Sequence, residues 1–81
     1  MSYMFEVYYK TPADPKKETA LAQQVARHGG RLDYREEPDE PGPSRAVVLT
    51  YEFDDFKQAE AAAESLRQQG EHVEGPGEYG S

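Results

Sequence analysis

Residues 45–70 read RAVVLTYEFDDFKQAEAAAESLRQQG. Side chains alternate between the two faces of a strand, so Val47, Leu49, Tyr51 and Phe53 share one side and Ala46, Val48, Thr50 and Glu52 the other. The first set is the better core face. Asp54 and Asp55 follow, and either carboxylate can accept backbone N–H bonds left over at a helix start. Asp55 with Gln58 fits a capping box in its aspartate form. Phe56, Ala59, Ala63 and Leu66 then recur at helical spacing, which makes one apolar stripe. Gly70 closes the helix, because glycine takes the left-handed conformation at a C-terminus without a Cβ clash. The stretch reads as strand, capped turn and helix.

A fainter copy lies upstream. Residues 3–10 (YMFEVYYK) alternate, with Phe5, Val7 and Tyr9 on one face and Met4, Glu6, Tyr8 and Lys10 on the other. Glu6 marks its face as the exposed one, since an unpaired buried carboxylate is costly. Asp14-Pro15 is a helix start: the aspartate caps, and proline at the first helical position loses no hydrogen bond. Leu21, Ala22, Val25 and His28 sit at helical spacing until Gly29-Gly30. Lys16 and Lys17 run against the helix dipole at that end, and nothing else in the sequence accounts for them. Residues 31–37 read as a strand with Leu32 and Tyr34 inward and Asp33 and Arg35 outward. Residues 38–44 (PDEPGPS) hold three prolines and a glycine, the composition of a mobile loop. After Gly70, residues 71–74 read as a short final strand with Val73 inward. Residues 75–81 (GPGEYGS) read as a flexible tail to a single domain over 1–74.

The repeat decides the architecture. Ala22, Val25, Gly29 and Leu32 align with Ala63, Leu66, Gly70 and Val73, and Val7 and Tyr9 with Leu49 and Tyr51. Two strand–helix–strand units in series resemble the ferredoxin-like, split βαβ superfold. That resemblance implies an α+β domain with an antiparallel sheet in the order 4-1-3-2 and both helices on one face. It spans nearly the whole chain, but a superfold hosts many unrelated activities.

Composition narrows the partners. The 81 residues include 16 acidic and 9 basic side chains, a net charge of −7, and no cysteine. Disulfides and thiolate metal sites are therefore excluded. The acidic balance repels nucleic-acid phosphates and anionic membranes and favours basic surfaces, besides aiding solubility. No apolar run reaches bilayer length and no signal-peptide core follows Met1, so a cytoplasmic location with no membrane partner is expected.

The implied fold leaves one sheet face bare. Met4, Tyr8, Val48 and Thr50 are expected at its centre, with Glu6, Lys10, Ala46, Glu52, Asp33, Arg35, His72 and Glu74 around them. An apolar centre with a polar rim suits a protein interface, so a protein partner, or a second copy in a homodimer, is the leading expectation. A plain solvated face is the structural alternative. RNA-recognition-motif domains share the βαββαβ order and stack bases on this face. The basic pattern of their third strand is absent here and the charge has the wrong sign, so no nucleic acid is expected. The fold also resembles dimeric α/β-barrel enzymes, whose pocket opens beside this face. That resemblance makes His72, Glu6 and Tyr8 weak catalytic candidates, since a histidine near a carboxylate and a phenol can move protons near neutrality. Resemblance to ACT regulatory domains implies a ligand site at residues 11–14, which lack the expected glycine. His28 reads as a helix C-terminal residue. The acidic run Glu36, Glu37, Asp39 and Glu40 is broken by Pro38 and Pro41 and lacks calcium-loop spacing. Phosphate-loop, dinucleotide, nucleophile-elbow and zinc-protease motifs are absent, and neither cofactor nor metal is expected.

Overall fold

The strand–helix–strand unit occurs twice in the computed structural model, which describes residues 1–79. Its elements are β1 (Ser2–Lys10), α1 (Pro15–Arg27), β2 (Arg31–Glu36), β3 (Ala46–Phe53), α2 (Phe56–Gln68) and β4 (His72–Tyr79). The strands form one antiparallel sheet in the order β2-β3-β1-β4, the expected ferredoxin-like order read from its other edge. Both helices pack on one face. The core between the layers holds Phe5, Val7, Tyr9, Val47, Leu49, Tyr51, Phe53 and Val73 from the sheet. The helices contribute Leu21, Val25, Ala59, Ala62, Ala63 and Leu66.

Local chemistry sets the helix ends. The carboxylates of Asp14 and Asp55 accept from the N–H groups of Lys17 (3.1 Å) and Gln58 (2.9 Å). At the far ends the chain closes on two bonds each time. Gly30 N–H reaches Val25 O and Gly29 N–H reaches Ala26 O, while Glu71 reaches Leu66 and Gly70 reaches Arg67. Gly29 and Gly70 have φ of 82° and 93°, the left-handed turn of a Schellman end. His28 is the C-cap of α1. Lys17, unexplained by the sequence, bridges to Glu71 at 3.0 Å and lies over the Tyr9 ring. It thereby links α1 to the residue that enters β4.

Three expectations are corrected. Ala22 is exposed, so that Leu21 and Val25 alone of the expected α1 stripe are buried, whereas Ala63 in the second unit is buried. Phe56 leaves the α2 stripe at 41% exposure and packs edge-on against Tyr3; Ala62 fills the stripe instead. The final strand outruns its expected end at Glu74 and pairs with β1 as far as Tyr79 opposite Ser2. A register shift where Gly75 has φ 107° absorbs the glycine-rich sequence. Arg67 from α2 holds the segment by donating to the carbonyls of Val73 and Gly75. Gly80 and Ser81, the rest of the expected tail, lie outside the described residues. The loop at 38–44, expected to be mobile, is tied at Gly42, which exchanges hydrogen bonds with the Thr11 hydroxyl.

Candidate functional site

β2 departs furthest from its sequence pattern. Arg31 and Leu32 lie opposite Glu52 and Tyr51, but the register then slips and Tyr34 lies opposite Thr50. Asp33 is the extra residue of a bulge, and a bulge re-aims every side chain beyond it. Tyr34, expected inward, therefore stands on the bare sheet face at 60% exposure. Arg35, expected outward, turns to the helix side and grips Glu18 of α1 through two bonds of 2.7 and 2.9 Å. Leu32 points to the helix side as expected but is 49% exposed.

That grip belongs to a network on the helix side. The Tyr9 hydroxyl donates to Glu18 and accepts the Asp14 N–H at 2.9 Å, and Arg35 also pairs with Glu37 at 2.7 Å. Hydrogen bonds from Arg35 hold the Glu18 carboxyl below the usual carboxylate range, against the opposing pull of burial. Burial raises the Tyr9 phenol, and the neighbouring Glu18 raises it further. The arrangement locks β1, α1 and β2 together, and its groups are occupied with one another.

The open face can be written row by row from the register. Arg31, Glu52, Met4 and Gly77 cross the sheet at one end; Tyr34, Thr50, Glu6 and Glu74 follow; then Glu36, Val48, Tyr8 and His72; then Ala46 and Lys10. Met4, Tyr8, Val48 and Thr50 are all on the face, as expected, but they do not form one apolar centre. Tyr8 and Val48 are cross-strand partners, whereas Met4 is set apart from them by the row of Thr50 and Glu6. Val48, Tyr8 and the His72 ring instead make a row that ends at Glu36, with Tyr34 one row away, diagonal to Val48. The Tyr8 and His72 rings meet edge to face at 5.5 Å.

The weak catalytic candidates do come together. Tyr8 donates to Glu6 at 3.0 Å, and His72 Nε2 lies 3.0 Å from Glu74 Oε2. Both members of the second pair are more than half exposed. A general acid–base site works best where water is excluded, and His72 and Glu74 stand largely in solvent. One depression does border residues 11–14, where the ACT resemblance implies a ligand, and Lys10, Lys16 and Lys17 line it. The α1 N-terminus beside it is already capped by Asp14. Among the described residues no group of three or more His, Asp or Glu side chains is placed to hold a metal ion. No helix among them is long and apolar enough to cross a membrane.

Tyr34 is the surface residue that sequence reasoning missed. Its spacing from Leu32 signals a shared face, and Asp33 gives no sign of a bulge. Comparisons with protein-family models, curated proteins and solved structures returned no match.

Proposed function

We propose that this chain is a small non-enzymatic protein-interaction module whose docking surface is the open sheet face, and that the occupant is a basic protein segment. The observation that carries the reading is the row of Val48, Tyr8 and His72 with Tyr34 diagonal to Val48, bordered by Glu6, Glu36 and Glu74. Aromatic and aliphatic side chains supply area that is worth desolvating, while the carboxylates select cationic groups. Arg31 adds little positive charge to the face, being paired with Glu52 at 3.0 Å and Asp54 at 3.1 Å. A second copy laid on the same face would bring Glu6 and Glu74 of both chains into one interface. Like charges at such a contact cost several kcal/mol, so a basic segment fits better than self-association here.

The test is an NMR titration of the labelled protein with an alternating lysine–leucine peptide. Amide shifts should concentrate at Glu6, Tyr8, Tyr34, Val48 and Thr50 and should shrink as salt rises. Replacing both acids (Glu6→Gln with Glu74→Gln) should weaken binding about tenfold, roughly 0.7 kcal/mol for each exposed charge. Shifts spread evenly over the acidic loop and the outer side of α2 would sink the reading.

A further inference from the structure

The sheet has two edges, and they are unlike. β4 is broken by its bulge at Gly75 and by Pro76, which has no N–H to offer an added strand. β2 contains neither proline nor glycine, is hydrogen-bonded on one side only, to β3, and is exposed at every one of its six residues. Such an edge presents free N–H and C=O groups to another chain. Leu32 and Tyr34, two of the large apolar side chains left exposed in the described residues, both lie on it.

We propose that β2 pairs antiparallel with β2 of a second copy, so that the sheets of the two chains become continuous. A two-fold axis normal to the sheet carries each face onto itself, so cross-strand partners must share a face. Arg31, Tyr34 and Glu36 share the open face, and Leu32 and Arg35 share the helix side. One register satisfies this condition and matches charge as well. Arg31 meets Glu36 of the second copy, and Glu36 meets its Arg31. Leu32 then meets Arg35, whose aliphatic stem can cover it. The two Tyr34 side chains flank the axis, and without a slip each lies opposite the bulged Asp33 of the other chain.

Charges and bulges on an edge strand usually prevent such pairing. They do so when like meets like, whereas RLDYRE is oppositely signed at its two ends. The existing bonds of Arg31 to Glu52 and Asp54 both come from Nη2, and a guanidinium carries further donors on Nη1 and Nε. Pairing through the edge leaves Val48, Tyr8, His72, Glu6 and Glu74 of the open face uncovered, so it does not depend on the docking reading above. A six-residue strand makes a small interface, and the dimer is therefore a weak one.

A charge swap tests the pairing. Arg31→Glu puts glutamate opposite Glu36, and Glu36→Arg puts arginine opposite Arg31, so each variant alone should stay monomeric at concentrations where the wild type dimerises. Mixing the two variants restores both opposite-charge contacts, and sedimentation should then show a heterodimer. A second readout covers the case in which Arg31→Glu fails to fold. In the wild type, amide hydrogen exchange at residues 31–36 should slow as concentration rises. A wild type that stays monomeric into the millimolar range overturns the proposal. So does a dimer whose mass ignores the swap, or whose β2 amides exchange at the same rate at every concentration.

Discussion

Gly30→Ala should lower the unfolding free energy by about 3 kcal/mol, although it adds a single methyl group at a chain turn. A Cβ at this position would lie 2.4 and 2.5 Å from the Phe53 ring carbons Cε2 and Cζ and 2.7 Å from Val25 Cγ1. Neither neighbour can withdraw. Phe53 is fully buried and tilted against Phe5, and Val25 is fixed in the core face of α1. The chain at Gly30 is itself pinned by its bond to Val25 O. Overpacking that cannot relax lies at the upper end of its usual cost of about 1–3 kcal/mol. Gly70→Ala is the control. Its φ of 93° strains any side chain, but nothing lies within 4 Å of the new Cβ, so about 1 kcal/mol is expected. In urea unfolding the two variants should differ clearly. Phe53→Leu, which vacates part of the ring volume, should make the double variant less destabilised than the sum of the singles. Equal losses at Gly30 and Gly70 would mean that the ring moves aside and the close packing is not needed.

The glycines at the two helix ends show what the sequence holds and what it leaves out. Gly29 and Gly70 are readable because a helix end demands a conformation that glycine adopts freely. Asp14 and Asp55 are readable because capping is local, and β1 and β3 because a half-buried strand writes its period into the sequence. Gly30 looks like a second stop signal. Its actual role, making room for Phe53, depends on a contact between residues far apart in the chain. The bulge at Asp33 is hidden for the same reason. With Arg35 on the helix side, Glu18 offers it a two-point contact that tyrosine could not use. Reading Leu32 and Tyr34 as one face is correct strand logic, interrupted by the extra residue at Asp33. Much of the open face was legible, and Tyr34 was not, since it reaches that face only past the bulge. β4 was underestimated because glycine and proline dominate its local signal, while the bonds from Arg67 that hold it come from another element.

Glu18→Ala should cost about 3 kcal/mol, the usual penalty for removing one partner of a partly buried, charged hydrogen-bonded pair. The carboxylate is 18% exposed, and it serves two partners at once, the Tyr9 hydroxyl and the Arg35 guanidinium. Without it the Tyr9 hydroxyl loses its acceptor in a buried site, and Arg35 loses its two-point contact while keeping Glu37. β2 should respond most, because all six of its side chains are exposed and Arg35 is its anchor to α1. Amide exchange in β2 should accelerate more than in β1 or β4, alongside the global loss seen in denaturant. The pH dependence has a definite sign. The folded-state carboxyl lies below its unfolded value, so its contribution is complete above the ordinary carboxylate range. It is lost as pH falls through the depressed folded value. Glu18→Gln keeps much of the shape without the charge, and it should remove that part of the acid dependence while retaining some of the stability. If Glu18→Gln loses stability towards acid as steeply as the wild type, the charge of Glu18 is not what holds β2. The bulge would then have to owe its direction to the sheet itself, and Tyr34 would stand on the open face whether or not Arg35 is anchored.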